Sequence, residues 1–365
     1  MLDAARFYGI VLVYFGHIIE QVMYLDNVAA AAQYKFIYSF HMPFFFVLSG
    51  FVAKPERLRT PPGAFFKRFF ASRLVPYGAF SLLLLFLSLF FKGWFPVVDL
   101  STASGYLKGV VQTLQGLPAF NIPLWFLALL VTTELLHYAV GRFLNSGLRL
   151  LAAAVGFYLL GYLLNLEFTL LRLTDLFIGS VWYVNEAPVV YAFYLVGVYL
   201  RRRGFLLGPV GPARVWAGIG LSLAAVYLTF DLNQGPFVYL DAVVVLLSGH
   251  GNIWLFPFTA LAGSLLLILL GKASGECRWV GYLGENTIIL FCLNGVFYHF
   301  LNQPAAAWFV GHLPGSPLVV FAFGAAATFL SLLLCLPAVW LLRAYFPQLV
   351  GRPTVQGPLL PRLTS

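Results

Sequence analysis

The chain has 365 residues, 61% of them hydrophobic and only 10% charged, whereas an average soluble domain carries roughly a quarter charged residues. That composition excludes a water-soluble protein, and ten spans of about 20 apolar residues leave no room for a sizeable extramembrane domain. The net charge of +9 does not point to nucleic acid, because the basic residues fall in short clusters between apolar runs instead of on one solvated face.

Apolar runs bounded by charged or turn-rich connections predict an all-α, multi-pass transmembrane bundle of about ten spans. They lie near 4–23, 36–53, 74–92, 122–141, 148–165, 187–200, 215–231, 252–271, 281–300 and 318–342. The first is expected to stay as a signal anchor, since Arg6 interrupts it and no small-residue cleavage site follows. Two further stretches, 166–183 with Glu167, Arg172 and Asp175, and 236–250 with Asp241, are expected to be re-entrant or interfacial. From Pro347 the chain is rich in Pro and Gly and reads as a cytoplasmic tail, 347–365, after a transmembrane domain of 1–346. With the N-terminus inside, 17 of the 22 basic residues fall in inside connections, as the positive-inside rule requires. Both termini are then cytoplasmic. No internal repeat or matched pair of broken helices of the transporter kind is visible. Cys277, Cys292 and Cys335 are odd in number and lack metal-ligand spacing, so neither a disulfide framework nor a metal is expected.

Ionisable groups within spans cost about 3 kcal/mol each on insertion scales and therefore need a reason. In the first span Arg6 and His17 are eleven residues apart, which puts them within roughly 20° of one direction and about 16.5 Å apart along a helix. Asp3 and Glu20 each lie one turn away as partners. The bland alternative is an arginine that snorkels and a satisfied interior histidine. In the second span His41 reaches a depth similar to that of His17 from an antiparallel neighbour. Pro43 is expected to kink that helix, and Ser49 and Gly50 to admit another backbone. The basic loop that follows, with Lys67, Arg68 and Arg73, either sets topology and holds anionic lipid headgroups or binds a polyphosphate through guanidinium groups. Glu134 and His137, spaced i to i+3, read as a structural pair.

Four motifs in order, LDAARFYGIVLVYFGH at 2–17, FHMPFFFVLSGFV at 40–52, RLVPY at 73–77 and PLWFLALL at 123–130, resemble the membrane acyltransferase-3 family. The FHMP segment looks most like its fucose 4-O-acetylase-like branch. LGENTIILFCLNGVF at 283–297 resembles the family's late span, but Asn294 stands where many relatives carry histidine, and His299 follows a little more than one turn on. No fused soluble hydrolase-like domain of the kind that longer relatives carry is expected, so acyl transfer is expected to be completed within the membrane domain or with a separate partner.

The resemblance implies an inner-membrane O-acyltransferase that moves acetyl from cytoplasmic acetyl-CoA, as co-substrate, to a sugar hydroxyl. The acceptor is a surface or exported glycan or a lipid-linked sugar, and membrane lipid and separate glycan-synthesis proteins are the other expected partners. Arg6, Arg73, Lys67 and Arg68 would hold the donor phosphates or polarise the thioester. His17 would be general base, oriented by Glu20, and His41 a second catalytic histidine or an acyl relay. Trp125 and Tyr77 would shape a tunnel or a sugar-stacking face, although an interfacial aromatic belt also accounts for such residues. A secondary transporter or lipid-linked-sugar flippase is the alternative, with Arg6, His17, Glu20 and His41 as a proton relay. A non-catalytic scaffold explains none of these residues.

Overall fold

The computed structural model describes residues 1–364 except 96–98, 168–179, 236–241, 246–248 and 276, with backbone alone at 166–167. Most of the two stretches expected to be re-entrant or interfacial lies outside the described residues. Long runs of Leu, Phe, Ala and Val with few breakers form helices throughout, and the β features among the described residues are isolated bridge positions, at Ala242 and between Val244 and Gly249. Helix α1 (Leu2–Met23) runs through the middle of the bundle and packs on helices from both halves of the chain.

Seven helices among the described residues are long and apolar enough to cross a membrane, and a pair bent by 75°, Arg278–Glu285 with Thr287–His312, brings the count to eight at most. These are the helices of a multi-pass membrane protein. Burial separates their roles. Val181–Arg202 is 78% buried and belongs to the core, while Gly147–Asn165 is 17% buried and turns Leu148, Val155 and Leu163 outward, as a lipid-facing helix does. Of the ten expected spans, 215–231 corresponds to the 18-residue helix Pro212–Thr229, which is not among the seven, and 36–53 is not one helix.

That second span breaks into α2 (Val28–Tyr38) and α3 (His41–Phe51), with Phe40 between them at φ −146°. Pro43 therefore does not kink a continuous helix. It sits in the first turn of α3, where its missing N–H would have had no helical partner anyway. The break leaves the Ile37 carbonyl to Phe40 N at 3.3 Å and to the imidazole of His41, whose Nδ1 lies 2.9 Å away.

The stretch expected to be a basic loop is also largely helical. After a 3₁₀ turn at Pro55–Arg59, helix α4 (Pro62–Phe69), a π turn at Phe70–Leu74 and α5 (Val75–Phe90) run on as one 29-residue rod. Pro76 has no N–H to offer the Ser72 carbonyl, and the wider turn, with Val75 N on Phe70 O, accommodates the lost bond. A second π turn, Tyr298–Asn302, precedes Pro304 in the same way.

Close backbone contacts fix the core. A Cβ on Gly50 of α3 would overlap the Tyr194 carbonyl, and one on Gly197 would overlap that of Val47, so small residues let α3 lie directly on the helix Ala187–Arg202. The segment read as a tail is folded. A 3₁₀ turn at Pro347–Val350 leads into Gly351 at φ +80°, and the fully buried Gln348 donates from Nε2 to the carbonyls of Val355 at 2.9 Å and Leu360 at 2.7 Å.

Candidate active site

Two groups of polar side chains stand at opposite ends of α1 and α3. At the far end of α1, His17 Nδ1 lies 2.8 Å from Glu20 Oε2, and the hydroxyl of Tyr24 donates to Glu20 Oε1 at 3.0 Å. The carboxylate can only accept, so Nδ1 carries the ring proton and Nε2 presents a lone pair. The same logic applies to His41, whose Nδ1 must donate to the Ile37 carbonyl. Neither Nε2 has a hydrogen-bond partner among the described residues. The ring of Tyr298 stands edge-on to His17 at 5.3 Å, and Tyr38 lies 4.6 Å from His41. Thus His17 is joined to Glu20, and His41 opens α3, which packs on α1, each within an aromatic surround that hydropathy alone does not distinguish from core.

The other end holds a cavity of about 680 Å³ lined by seven cationic side chains and one carboxylate, a volume in the range of small-molecule sites. Arg6 comes from the first turn of α1, Lys54 and Arg57 from the connection after α3, Lys67, Arg68 and Arg73 from the α4 rod, and Arg352 from the folded segment beyond Pro347. Arg73 makes a two-pronged pair with Glu134, Nε to Oε2 at 2.9 Å and Nη2 to Oε1 at 2.7 Å. Glu134 is therefore not paired with His137, whose Nδ1 meets the Tyr191 hydroxyl at 3.1 Å instead. Arg6 pairs with Asp3 at 2.5 Å. Lys54, Arg57, Lys67 and Arg68 have no carboxylate partner among the described residues, so the cavity keeps unpaired positive charge for an anion.

Arg6 and His17 share α1 but not a cavity. Between them the rings of Phe44 and Phe45 press on Gly9, where a Cβ would come within 2.6 and 2.7 Å of them. Trp125 and Tyr77 do not line the cavity. Both are buried in the core, Tyr77 with its hydroxyl on the Thr113 carbonyl at 2.8 Å and its ring 5.5 Å from Trp182, and Trp125 6.3 Å from Tyr183. They brace the turn at Val181–Tyr183. His299 has carbonyls on both sides, Trp94 O at 2.9 Å from Nδ1 and Phe120 O at 3.1 Å from Nε2, and stacks on Phe95 at 4.3 Å. Carbonyls only accept, so a neutral ring donates to one of the two, and with both nitrogens turned to backbone neither faces open space, an arrangement that positions the ring. Asn294 is fully buried, and neither of its amide atoms has a hydrogen-bond partner among the described residues. No three His, Cys, Asp or Glu side chains among the described residues are grouped to hold a metal ion.

Sequence reasoning did not single out Arg352 or Tyr298, and it treated Lys54 and Arg57 as topology markers. The signal for Arg73–Glu134 was present in a weak form, as two opposite charges within apolar runs, each in need of a partner.

The family model described as "Acyltransferase domain" matches residues 1–337. No curated protein and no solved structure matches the chain.

Proposed function

Because the chain belongs to the membrane acyltransferase-3 family, we propose that it moves an acetyl group from cytoplasmic acetyl-CoA to a sugar hydroxyl of a surface or exported glycan, or of a lipid-linked sugar. The observation that carries this reading is one helix with two chemistries. Arg6 lines a cavity rich in unpaired cations, and His17, about 16.5 Å along the same helix, is oriented by a carboxylate with Nε2 free.

The phosphates and nucleotide of the donor occupy the cationic cavity, where Lys54, Arg57, Lys67 and Arg68 neutralise them. The thioester arm reaches along α1 and needs the Phe44 and Phe45 rings to turn away from Gly9. At the histidine end, His17 Nε2 takes the proton of the acceptor hydroxyl as its oxygen attacks the thioester carbonyl. Glu20 stabilises the imidazolium that forms, and the imidazolium returns the proton to the departing thiolate. His41, with its Nε2 also bare, serves as a second base or carries the acetyl group between the two.

The FHMP segment supports the fucose 4-O-acetylase-like branch, and the gathering of basic residues at the cavity end supports an inner (plasma) membrane orientation with that end cytoplasmic. Separate glycan-synthesis proteins would supply or receive the acceptor. The test is transfer of label from radiolabelled acetyl-CoA by the purified protein in vesicles, wild type beside His17→Ala and Arg6→Ala. Loss in both variants is expected. Transfer unaffected by either change sinks the site, and thioester that is never consumed with any acceptor favours transport.

A further inference from the structure

One wall of the cationic cavity is built by residues beyond the stretch that the family model matches, which ends at residue 337. Gly351, Arg352, Thr354 and Thr364 all line it. Three devices hold this segment in place. Gln348 ties its two strands of chain together from a fully buried position. The backbone N–H of Leu363 donates to the Pro353 carbonyl at 2.8 Å, which turns the chain back and returns Thr364 to the cavity. The left-handed turn at Gly351 rests on the π turn, so that a Cβ there would lie 3.2 Å from the Ser72 carbonyl, next to Arg73.

Two side chains of the segment are poised for a ligand. Thr364 Oγ1 is buried without a hydrogen-bond partner among the described residues, in a residue that lines the cavity. Arg352 uses one nitrogen, Nη2, on Glu285 Oε1 at 2.9 Å, while Arg343 approaches the other oxygen of Glu285 at 3.4 Å. Glu285 closes the helix Arg278–Glu285, whose Gly284 abuts the carbonyl of Asp3, the partner of Arg6. The segment is thereby latched to the same end of α1 that supplies the cavity's first cation.

We propose that 347–364 is a binding hook, a part of the anion site in which Arg352 and Thr364 contact a phosphate-bearing ligand held in the cavity. The proposal rests on the reading of that cavity as a phosphate site. A guanidinium with free N–H groups beside an unpaired hydroxyl donor suits a phosphate oxygen, and the ligand is either the phosphate-rich end of a nucleotide donor or the headgroup of an anionic lipid.

The test measures binding of radiolabelled adenosine 3′,5′-diphosphate to the full chain in neutral detergent, then in nanodiscs with and without phosphatidylglycerol. Arg352→Gln and Thr364→Val are each expected to weaken binding about 3- to 10-fold; Thr364→Val leaves the thermal midpoint of the unliganded protein unchanged, and Arg352→Gln lowers it no further than Glu285→Gln does, since both lose the same ion pair. Glu285→Gln separates contact from latch, since a direct contact leaves affinity equal or higher when the competing carboxylate is gone. If Arg57→Gln abolishes binding while the hook variants bind like wild type, the cavity reading stands and the hook is refuted. If wild type binds no probe and phosphatidylglycerol does not bind in an Arg352-dependent way, both fall. Displacement of the probe by phosphatidylglycerol, with the same dependence on Arg352, upholds the hook and identifies the ligand as a headgroup.

Discussion

Replacing Glu20 by Gln removes a charge from the histidine end while keeping the shape of the side chain. In the structure the carboxylate touches His17 Nδ1 at 2.8 Å, and the two side chains are 10% and 12% exposed. With charge centres about 4 Å apart and an effective dielectric constant of about 20, the carboxylate stabilises an imidazolium by about 4 kcal/mol. The amide oxygen of Gln retains part of the hydrogen bond, and its NH₂ group can face Nδ1 and favour the wrong tautomer, so a loss of about 2–4 kcal/mol in the transition state follows. This corresponds to a fall in kcat of about 30- to 1000-fold. The KM for acetyl-CoA should stay within about twofold, because the cations that would hold it lie at the other end of α1. The assay is initial-rate transfer of labelled acetyl from acetyl-CoA to glycan in vesicles over a range of donor concentrations. A variant whose kcat stays within threefold of wild type refutes the orienting role, and one with a raised KM and normal kcat assigns Glu20 to donor binding.

Glu134→Gln should raise affinity for adenosine 3′,5′-diphosphate about 5- to 10-fold, since removing a carboxylate about 7 Å from a bound anion is worth about 1 kcal/mol at a dielectric constant of about 40, while the unliganded protein melts earlier because Arg73 loses its partner. Calorimetric titration and thermal scanning read both, and weaker binding contradicts the role of Glu134 as a competitor for Arg73. Gly50→Ala should cost about 2 kcal/mol or more by forcing α3 away from the Tyr194 carbonyl, whereas Gly63→Ala, with open space around it, should be neutral; equal melting temperatures in detergent would remove the close-packing argument. In a Cys277→Ser background, where Cys292 and Cys335 are buried, Arg59→Cys should react with an impermeant thiol reagent only from the cytoplasmic side, and labelling from the opposite face would invert the proposed orientation.

Helical periodicity placed Arg6 and His17 on a shared face of α1, and the small residue Gly50 announced a close backbone contact that α3 does make. Both are local readings, and the geometry of one helix suffices for them. The break at Phe40 was not legible because it depends on His41 Nδ1 capturing a carbonyl that a regular helix would have used, a choice invisible to hydropathy. The α4 rod escaped because its charges lie on an exposed face where water or headgroups accept them, so a run of cations looked like a loop. Glu134 was assigned to His137 by the i to i+3 rule, but the bidentate geometry of Arg73 across two helices outweighs a neighbour on one. Segment 347–364 has the composition of a tail, and a single buried glutamine, Gln348, is what converts it into a folded element.

The two π turns, at Phe70–Leu74 and Tyr298–Asn302, each hold one residue more than an α-helix would need to follow the same path. Each behaves as a phase adjuster between the halves of a rod, and the proline two positions after it discourages the turn from healing into regular helix. Deleting one residue from 70–74 would therefore let the turn close into regular helix along the same path, with the two halves of the rod kept in phase and the cost confined to Pro76, whose ring would meet the carbonyl one turn before it. The same deletion in the regular helix on either side, where no residue is spare, would turn everything beyond it by about 100°. The five residues of the π turn are thus the place in this rod where a change of length by one is absorbed locally, and the rest of the rod is where it is not.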